Sequence, residues 1–399
     1  MDRPPLVSIV TPSLNQGRFI EAAIESVLSQ DYPRIEYIVI DGGSTDETLD
    51  ILARYGQRFT WISEPDGGQS HAINKGFRRA RGDVLAWLNS DDTYLPGAVR
   101  SAVEHLTEHP DCALVYGDGY LMDEDGRMTR PFPATEPFDL WKLVYVHDYI
   151  LQQSAFFRRD AVDAAGYLDE SLHWGMDWDL FIKIGRRYRV DYLPKALASL
   201  REYGTAKTFS GGTRRLAELV RVMRRHGSRR YPPARVAYAI DTYFRLVFGS
   251  LEARVPARSR AGTVRLRRIV ERRVYGLVDR YLRHAQGAYT DGWLGPRAHF
   301  LLRRGPGTSR LIVRGVRLPL RRGRPTGWLH VRVDGADVGR RELPAAGEFE
   351  ATWPLPEPRW DPSVVEIDLR CRSVFRPSRV PFRGDRRRLS FQLRAITIE

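Results

Sequence analysis

Four short apolar runs constrain the fold of this chain more than any other feature. Each is followed at once by polar sequence, glycine-containing after the second and third, and then by a stretch of helical periodicity. Val7 to Val10 empties into Thr11-Pro12-Ser13, and Ile35 to Ile40 into Asp41-Gly42-Gly43-Ser44-Thr45-Asp46. Phe59 to Ile62 leads into EPDGGQS, and Val84 to Leu88 into Asn89-Ser90-Asp91-Asp92. Phe19, Ile20, Ala23, Ile24, Val27 and Leu28 recur at helical spacing after the first run, and a helix is expected over Ala72 to Ala80. Ser44 with Glu47 reads as a capping box for a helix running to about Tyr55. Strand and helix alternating at this pitch predict an α/β fold, a parallel sheet with helices on both faces. Ligands of such sheets gather outside the carboxyl ends of the strands. Ser13, Asp41, Asp66, Gln69 and Asp91 are therefore expected in one crevice. Gly42, Gly43, Gly67 and Gly68 either allow backbone to approach a ligand there or make plain turns.

Two stretches bear chemistry. In Asn89-Ser90-Asp91-Asp92, two adjacent acids repel unless a cation relieves them, and oxygen ligands suit Mg²⁺ or Mn²⁺. The alternative is an N-cap for the helix that begins near Pro96. In HWGMDWDLFIKIGRR, Asp177 and Asp179 point apart at a helix start, so that one faces the crevice alone. Asp177 is then either a proton acceptor or the cap of the helix carrying Leu180, Phe181 and Ile184, and Trp174 and Trp178 offer flat faces on which sugars stack.

The segments VSIVTPSLNQ, VIDGGSTDET, DGGQSHAINKGF and WLNSDD resemble, in order and spacing, the family 2 glycosyltransferases of GT-A fold, over about residues 5 to 212. The resemblance implies that Thr11, Pro12 and Ser13 wall a nucleotide pocket and that Asp41 bonds the base. Asp66, Gln69, Asn74, Asn89 and Ser90 join the expected nucleotide-sugar contacts. Asn89-Ser90-Asp91 occupies the place of the family's DxD motif, with Asn for its first acid, Asp91 as metal ligand and Asp92 as helper. Met176-Asp177 stands where the family has Glu-Asp, so Asp177 inherits the general-base role. Tyr203 stands near the place of a histidine that often joins the metal, so no histidine ligand is assigned. Gln152, Gln153 and Trp174 are expected on the acceptor side, the Gln pair being otherwise a solvent-facing polar step. Lys207 and Ser210 either reach the diphosphate or belong to a solvated loop.

Charge divides the chain. Residues 1 to 205 carry 21 Lys+Arg against 32 Asp+Glu, and residues 206 to 399 the remaining 42 against 17. The basic half suggests an anionic neighbour. From Arg214 to Arg283 apolar stripes (Leu216, Leu219, Val220, Met223; Val236, Ala239, Ile240, Tyr243, Phe244, Val247; Ile269, Val270, Val274, Leu277, Val278, Leu282) alternate with Arg. They read as helices that lie on an anionic membrane surface or as packed helices with solvated Arg faces. Nucleic acid is not expected, because no recognised binding module accompanies the charge. Beyond Gly287, GWLHVRVDG, SVVEIDLRCR and similar runs read as short alternating strands, which predict a β-sandwich similar to the jelly-roll modules appended to some bacterial glycosyltransferases. Its Trp293, Trp328, Trp353 and Trp360 are core or sugar-stacking residues.

The expected organisation is a GT-A domain over 1–212 (nucleotide-sugar half about 5–123, acceptor half about 124–212), a basic helical region over 213–286 and a sandwich over 287–399. Cys112 and Cys371 read as core residues of a reducing compartment. With neither a cleavable signal at MDRPPLVSIV nor a run of apolar residues long enough to span a bilayer, the expected location is cytoplasmic, either free or peripheral on the inner face of the cytoplasmic membrane. The expected activity is inverting, metal-dependent transfer of a sugar from a nucleotide-diphosphate donor, a UDP-sugar first, to a glycan or lipid-linked glycan hydroxyl. Its rivals are an inactive carbohydrate-binding scaffold of a polysaccharide-assembly complex and, on a similar sheet, nucleotidyl transfer.

Overall fold

The computed structural model describes the chain except residues 1–2, 205–206, 208–210, 228–231, 255–269, 271–272, 275–276, 279–281, 283–284, 290, 319–326, 359–361 and 373–388. Ser210, Ile269 and Trp360, singled out above, lie outside the described residues. Packing divides the chain into two units, one of Met1–Asp139 with Asp148–Val222, the other of Leu140–His147 with Met223–Glu399.

The first unit opens with β1 (Val7–Ser13), α1 (Gly17–Leu28), β2 (Ile35–Asp41), α2 (Thr48–Arg54), β3 (Thr60–Ser63), α3 (Gln69–Arg79) and β4 (Val84–Trp87). β1 and β4 are buried along their whole length, which explains their unbroken apolar runs. They pair in parallel as β3-β2-β1-β4, with Ser13 opposite Asp41 and Asp41 opposite Ser63. α3 lies close on β1 because Gly76 has no side chain; a Cβ there would stand 2.4 Å from Val10.

The chain continues through β5 (Thr93–Tyr94), α4 (Ala98–Glu108), β6 (Cys112–Met122) and β7 (Met128–Pro131). After α5 (Leu140–Tyr145), which belongs to the second unit, come β8 (Phe156–Arg158), α6 (Arg159–Ala165), α7 (Met176–Arg187), β9 (Arg189–Arg201) and α8 (Gly212–His226). Past β4 the sheet is no longer parallel. The short β8 enters between β4 and β6, antiparallel to both, β6 pairs in parallel with β9, and β5 closes the edge antiparallel to β9. The result is a nine-stranded mixed sheet with an apolar core drawn from α1, α4 and the strands.

The capping box does not form. The residue before α2 is Glu47, and its side chain makes no capping bond. Ser44 instead donates to Asp41, while Asp46 takes the amides of Gly17 and Thr48. A buried carboxylate at the end of β2 competes for the hydroxyl and wins, since an unpaired buried charge costs more than a surface cap.

In the second unit, α9 (Ala234–Arg254) precedes a sandwich of β10 (Arg297–Arg303), β11 (Arg310–Arg317), β12 (Gly327–Val333), β13 (Ala336–Leu343), β14 (Gly347–Pro354), β15 (Val364–Cys371) and β16 (Gln392–Ile398). Two antiparallel sheets, β10-β15-β12-β13 and β14-β11-β16, share one apolar core. β13 was not legible because it is an edge strand, ADVGRREL, with little apolar alternation. Trp353 is wholly buried in this core, Trp293 is half-buried, and Trp328 is partly exposed beneath the Arg340 guanidinium. Among the described residues no helix is long and apolar enough to cross a membrane.

Candidate active site

The carboxyl ends of β1, β2 and β3 meet at Asp41. Its carboxylate is fully buried and accepts the amides of Gly43 and Ser44 at 3.0 and 2.9 Å and the hydroxyls of Ser44 and Ser63 at 2.5 and 2.6 Å. Gly43 turns with φ +87°, and a Cβ on Gly42 would approach Asp66 to 3.0 Å, so the Asp66 carboxylate lies across this turn. Beside Asp41, the buried Ser13 hydroxyl has no hydrogen-bond partner among the described residues. A buried hydroxyl left in that condition favours a ligand that supplies one. Thr11 is buried and accepts the Tyr37 hydroxyl at 3.0 Å, and Pro12 is buried within β1.

The four residues after β4 are held by an amide lattice. Asn89 Oδ1 accepts Gln69 Nε2 at 2.8 Å, and Asn89 Nδ2 donates to Asp92 Oδ2 at 3.0 Å and to Gln152 Oε1 at 3.2 Å. Gln153 also donates to Asp92, and the Arg201 amide donates to its other oxygen at 2.9 Å. Burial, reinforced by the charge of Asp91, pushes the Asp92 carboxyl up to about 8 against these donors. An acid in place of Asn89 would face Asp92 as a like charge at hydrogen-bond distance, whereas the amide satisfies it. Asn89 thus supplies one of the three donors that Asp92 accepts. Ser90 is buried. Asp91 stays partly exposed and accepts the Tyr203 hydroxyl at 2.7 Å, the tyrosine ring resting against Phe19.

Gln152 and Gln153, expected toward an acceptor, are buried and brace these acids, with Gln152 also donating to the Trp87 carbonyl at 2.8 Å. Asn74 is buried on the inner face of α3, where its amide bonds Leu168 and Glu170. It is not among the residues gathered at the strand ends.

Asp177 stands in the first turn of α7. Burial raises its carboxyl above the ordinary range, against the Trp178 amide, Lys207 and Arg215, which pull it down. Asp148 sits beside it and is raised further, first by burial and then by the charge of Asp177. Asp179 faces the other way, fully buried in an ion pair with Lys183 at 2.7 Å. The Lys207 ammonium donates to Gln69 Oε1 at 2.6 Å and interacts electrostatically with Asp177. One glutamine thus joins the lattice around Asp91 to the neighbourhood of Asp177. Trp178 is buried in the core and presents no face to a sugar. Trp174 is half-buried, edge-on to His173 and so close to Gly211 that a Cβ there would stand 2.3 Å from the indole.

Three contributors were missed from the sequence. Asp148 carries no local signal. Arg201 bonds the Asp91 carbonyl through its guanidinium. Glu218, buried on α8, accepts the amides of His173, Trp174 and Gly175 ahead of α7. A lone acid beside the apolar stripe of a basic helix was the available clue to Glu218.

The Glycosyl transferase family 2 model matches residues 8–164. A PGL/p-HBAD biosynthesis glycosyltransferase of Mycobacterium bovis is 30% identical over 207 residues, which cover 50% of this chain and 78% of that protein. The chain belongs to glycosyltransferase family 2. An uncharacterized glycosyltransferase of Rickettsia prowazekii is 30% identical over 188 residues, 46% of this chain, and the match spans only 59% of that relative's length. Among solved structures, S. aureus TarS in complex with UDP-GlcNAc aligns with a TM-score of 0.48 and 18% identity over 64% of this chain and 77% of that one. The matched family segment of this glycosyltransferase carries Asp41, Asp91 and Asp148, whereas Asp177, Tyr203 and Glu218 lie beyond it.

The residues at Asp91 fit a hard divalent ion. A partly exposed carboxylate beside a second, buried carboxyl whose ionisation it opposes forms an oxygen-rich pair, and a cation there would relieve that opposition.

Proposed function

We propose that this family 2 glycosyltransferase moves a hexose from a nucleotide-diphosphate donor to a hydroxyl of a glycan or lipid-linked glycan, with inversion. The observation that carries the reading is the Lys207–Gln69–Asn89 hydrogen-bonded connection, which runs from Asp92, the neighbour of Asp91, to the ammonium that acts electrostatically on the half-buried Asp177. Asp177 takes the proton of the acceptor hydroxyl as its oxygen attacks the anomeric carbon. The bond from that carbon to the diphosphate oxygen breaks on the opposite face, and the nucleoside diphosphate leaves with the electron pair. Burial favours this, because a carboxylate raised above its usual range is the stronger base. Asp91, with Asp92 behind it, would hold Mn²⁺ or Mg²⁺, which when bound offsets the charge of the departing diphosphate. Ser13, Asp41 and Asp66 form the wall proposed for the nucleoside. The reading is tested with labelled nucleotide sugars, UDP-sugars first, in the presence of Mn²⁺. Transfer or hydrolysis with an inverted product supports it, and binding without turnover returns the protein to the scaffold reading.

The basic helical region is proposed to meet an anionic membrane. On α9, Val236, Tyr243 and Val247 are 50%, 57% and 54% exposed, and Arg235 and Arg245 lie on the same helix. An apolar stripe flanked by Arg suits the headgroup boundary. Co-sedimentation with phosphatidylglycerol vesicles but not with phosphatidylcholine vesicles is expected; equal recovery with both would remove the proposal.

A further inference from the structure

A second group of metal-ligating side chains lies away from the crevice. His105 stands in the last turn of α4 with His109 one turn on, and Asp191 near the amino end of β9, on which that helix packs. One ligand atom from each comes within 4.8 Å of the other two. His105 Nε2 is 2.9 Å from Asp191 Oδ2, and the two imidazoles stack at 4.3 Å with planes 10° apart. A tetrahedral ion with bonds of about 2.1 Å needs ligand atoms about 3.4 Å apart, so a turn of one imidazole out of the stack is what closes the site.

Two of the three ligands are already oriented. His109 Nδ1 donates to the His105 carbonyl at 3.1 Å, which leaves Nε2 unprotonated and available. Arg189 Nε donates to Asp191 Oδ1 at 2.8 Å, which leaves Oδ2 directed at the histidines. Partners of this kind fix the tautomer and rotamer of metal ligands. All three residues are partly exposed, so water can complete the coordination. Two imidazoles and a carboxylate suit Zn²⁺ better than the all-oxygen site at Asp91 does. Asp191 lies ten residues before Arg201 on β9, on the order of 30 Å along the strand from the residue whose amide bonds Asp92.

We propose that His105, His109 and Asp191 bind Zn²⁺ as a clip that fastens the end of α4 to β9, separate from the ion proposed at Asp91. The test titrates Zn²⁺ alone, without nucleotide, into the full chain carrying Asp91→Asn, which weakens the acidic site. One equivalent is expected to bind. Adding His109→Ala or, as a second variant that keeps polarity at the helix end, His109→Gln should weaken it by about tenfold or more. Zn²⁺ should also raise the thermal midpoint of the wild type and not of either His109 variant, while the single His109 variants keep their nucleotide affinity. No Zn²⁺ bound by the Asp91→Asn protein, or unchanged affinity in both His109 variants, would overturn the assignment and leave an ion pair between His105 and Asp191.

Discussion

The Glu218 carboxylate accepts the Trp174 amide at 2.6 Å, three residues ahead of Asp177. It also takes the amides of His173 and Gly175, so a side chain from α8 fixes the chain entering α7. Gly175 makes room for this: a Cβ there would meet Leu219 and Val222 at 3.2 and 3.3 Å. Replacing Glu218 by Gln keeps the shape but sets an amide N–H against backbone donors. The expected loss is about 1.5–3 kcal/mol in denaturant unfolding, with kcat falling more than donor affinity. An unchanged kcat would detach α8 from the placement of Asp177.

Asp177→Asn should lower kcat by about 10²–10⁴-fold and leave donor Kd near the wild-type value. Because burial raises the Asp177 carboxyl, the acid limb of kcat/KM should fall at a pH above the ordinary carboxylate range. The stability term has the opposite sense. A carboxyl whose folded pKa exceeds its unfolded value favours the folded state at low pH, and that contribution is lost as pH rises through the folded pKa. Asp177→Asn is therefore expected to melt above the wild type at neutral pH. Wild-type turnover in the variant would rule out the base.

Burial and the charge of Asp177 both raise the Asp148 carboxyl, which favours its neutral form beside an ionised Asp177. Asp148→Asn should then leave the acid limb in place. A limb that moves to lower pH would show that Asp148 is charged across that range.

Tyr203 and Asp91 share a hydrogen bond at the open edge of the acid pair. Asp91→Asn is expected to abolish the Mn²⁺-dependent part of nucleotide diphosphate affinity, measured by calorimetry with and without the ion. Equal Mn²⁺ dependence in variant and wild type would contradict the ligand assignment.

Asn74 spends its amide on Leu168 and Glu170. Asn74→Ala should cost about 1–3 kcal/mol of stability, as buried partners lose their bonds, with donor Kd unchanged. A selective loss of donor affinity would instead restore the role read from the sequence motif.

The alternation of apolar runs and helical stripes was enough to specify the first four strands, their helices and most strands of the sandwich, because both periodicities are written in neighbouring residues. It also marked Asp41 and Asp91, since a strand end is a local property. What it did not contain was everything that depends on which distant segments meet. β8 enters the sheet antiparallel between β4 and β6, Asp148 stands beside Asp177, and Glu218 reaches back across more than forty residues to the start of α7. Buried polar groups took whatever partner tertiary packing brought to them. Ser44 therefore served Asp41 instead of a helix end, and Asn89 served Asp92. Local patterning selects elements, while the cost of burying charge without a partner decides, once the chain has closed, which side chains complete the site.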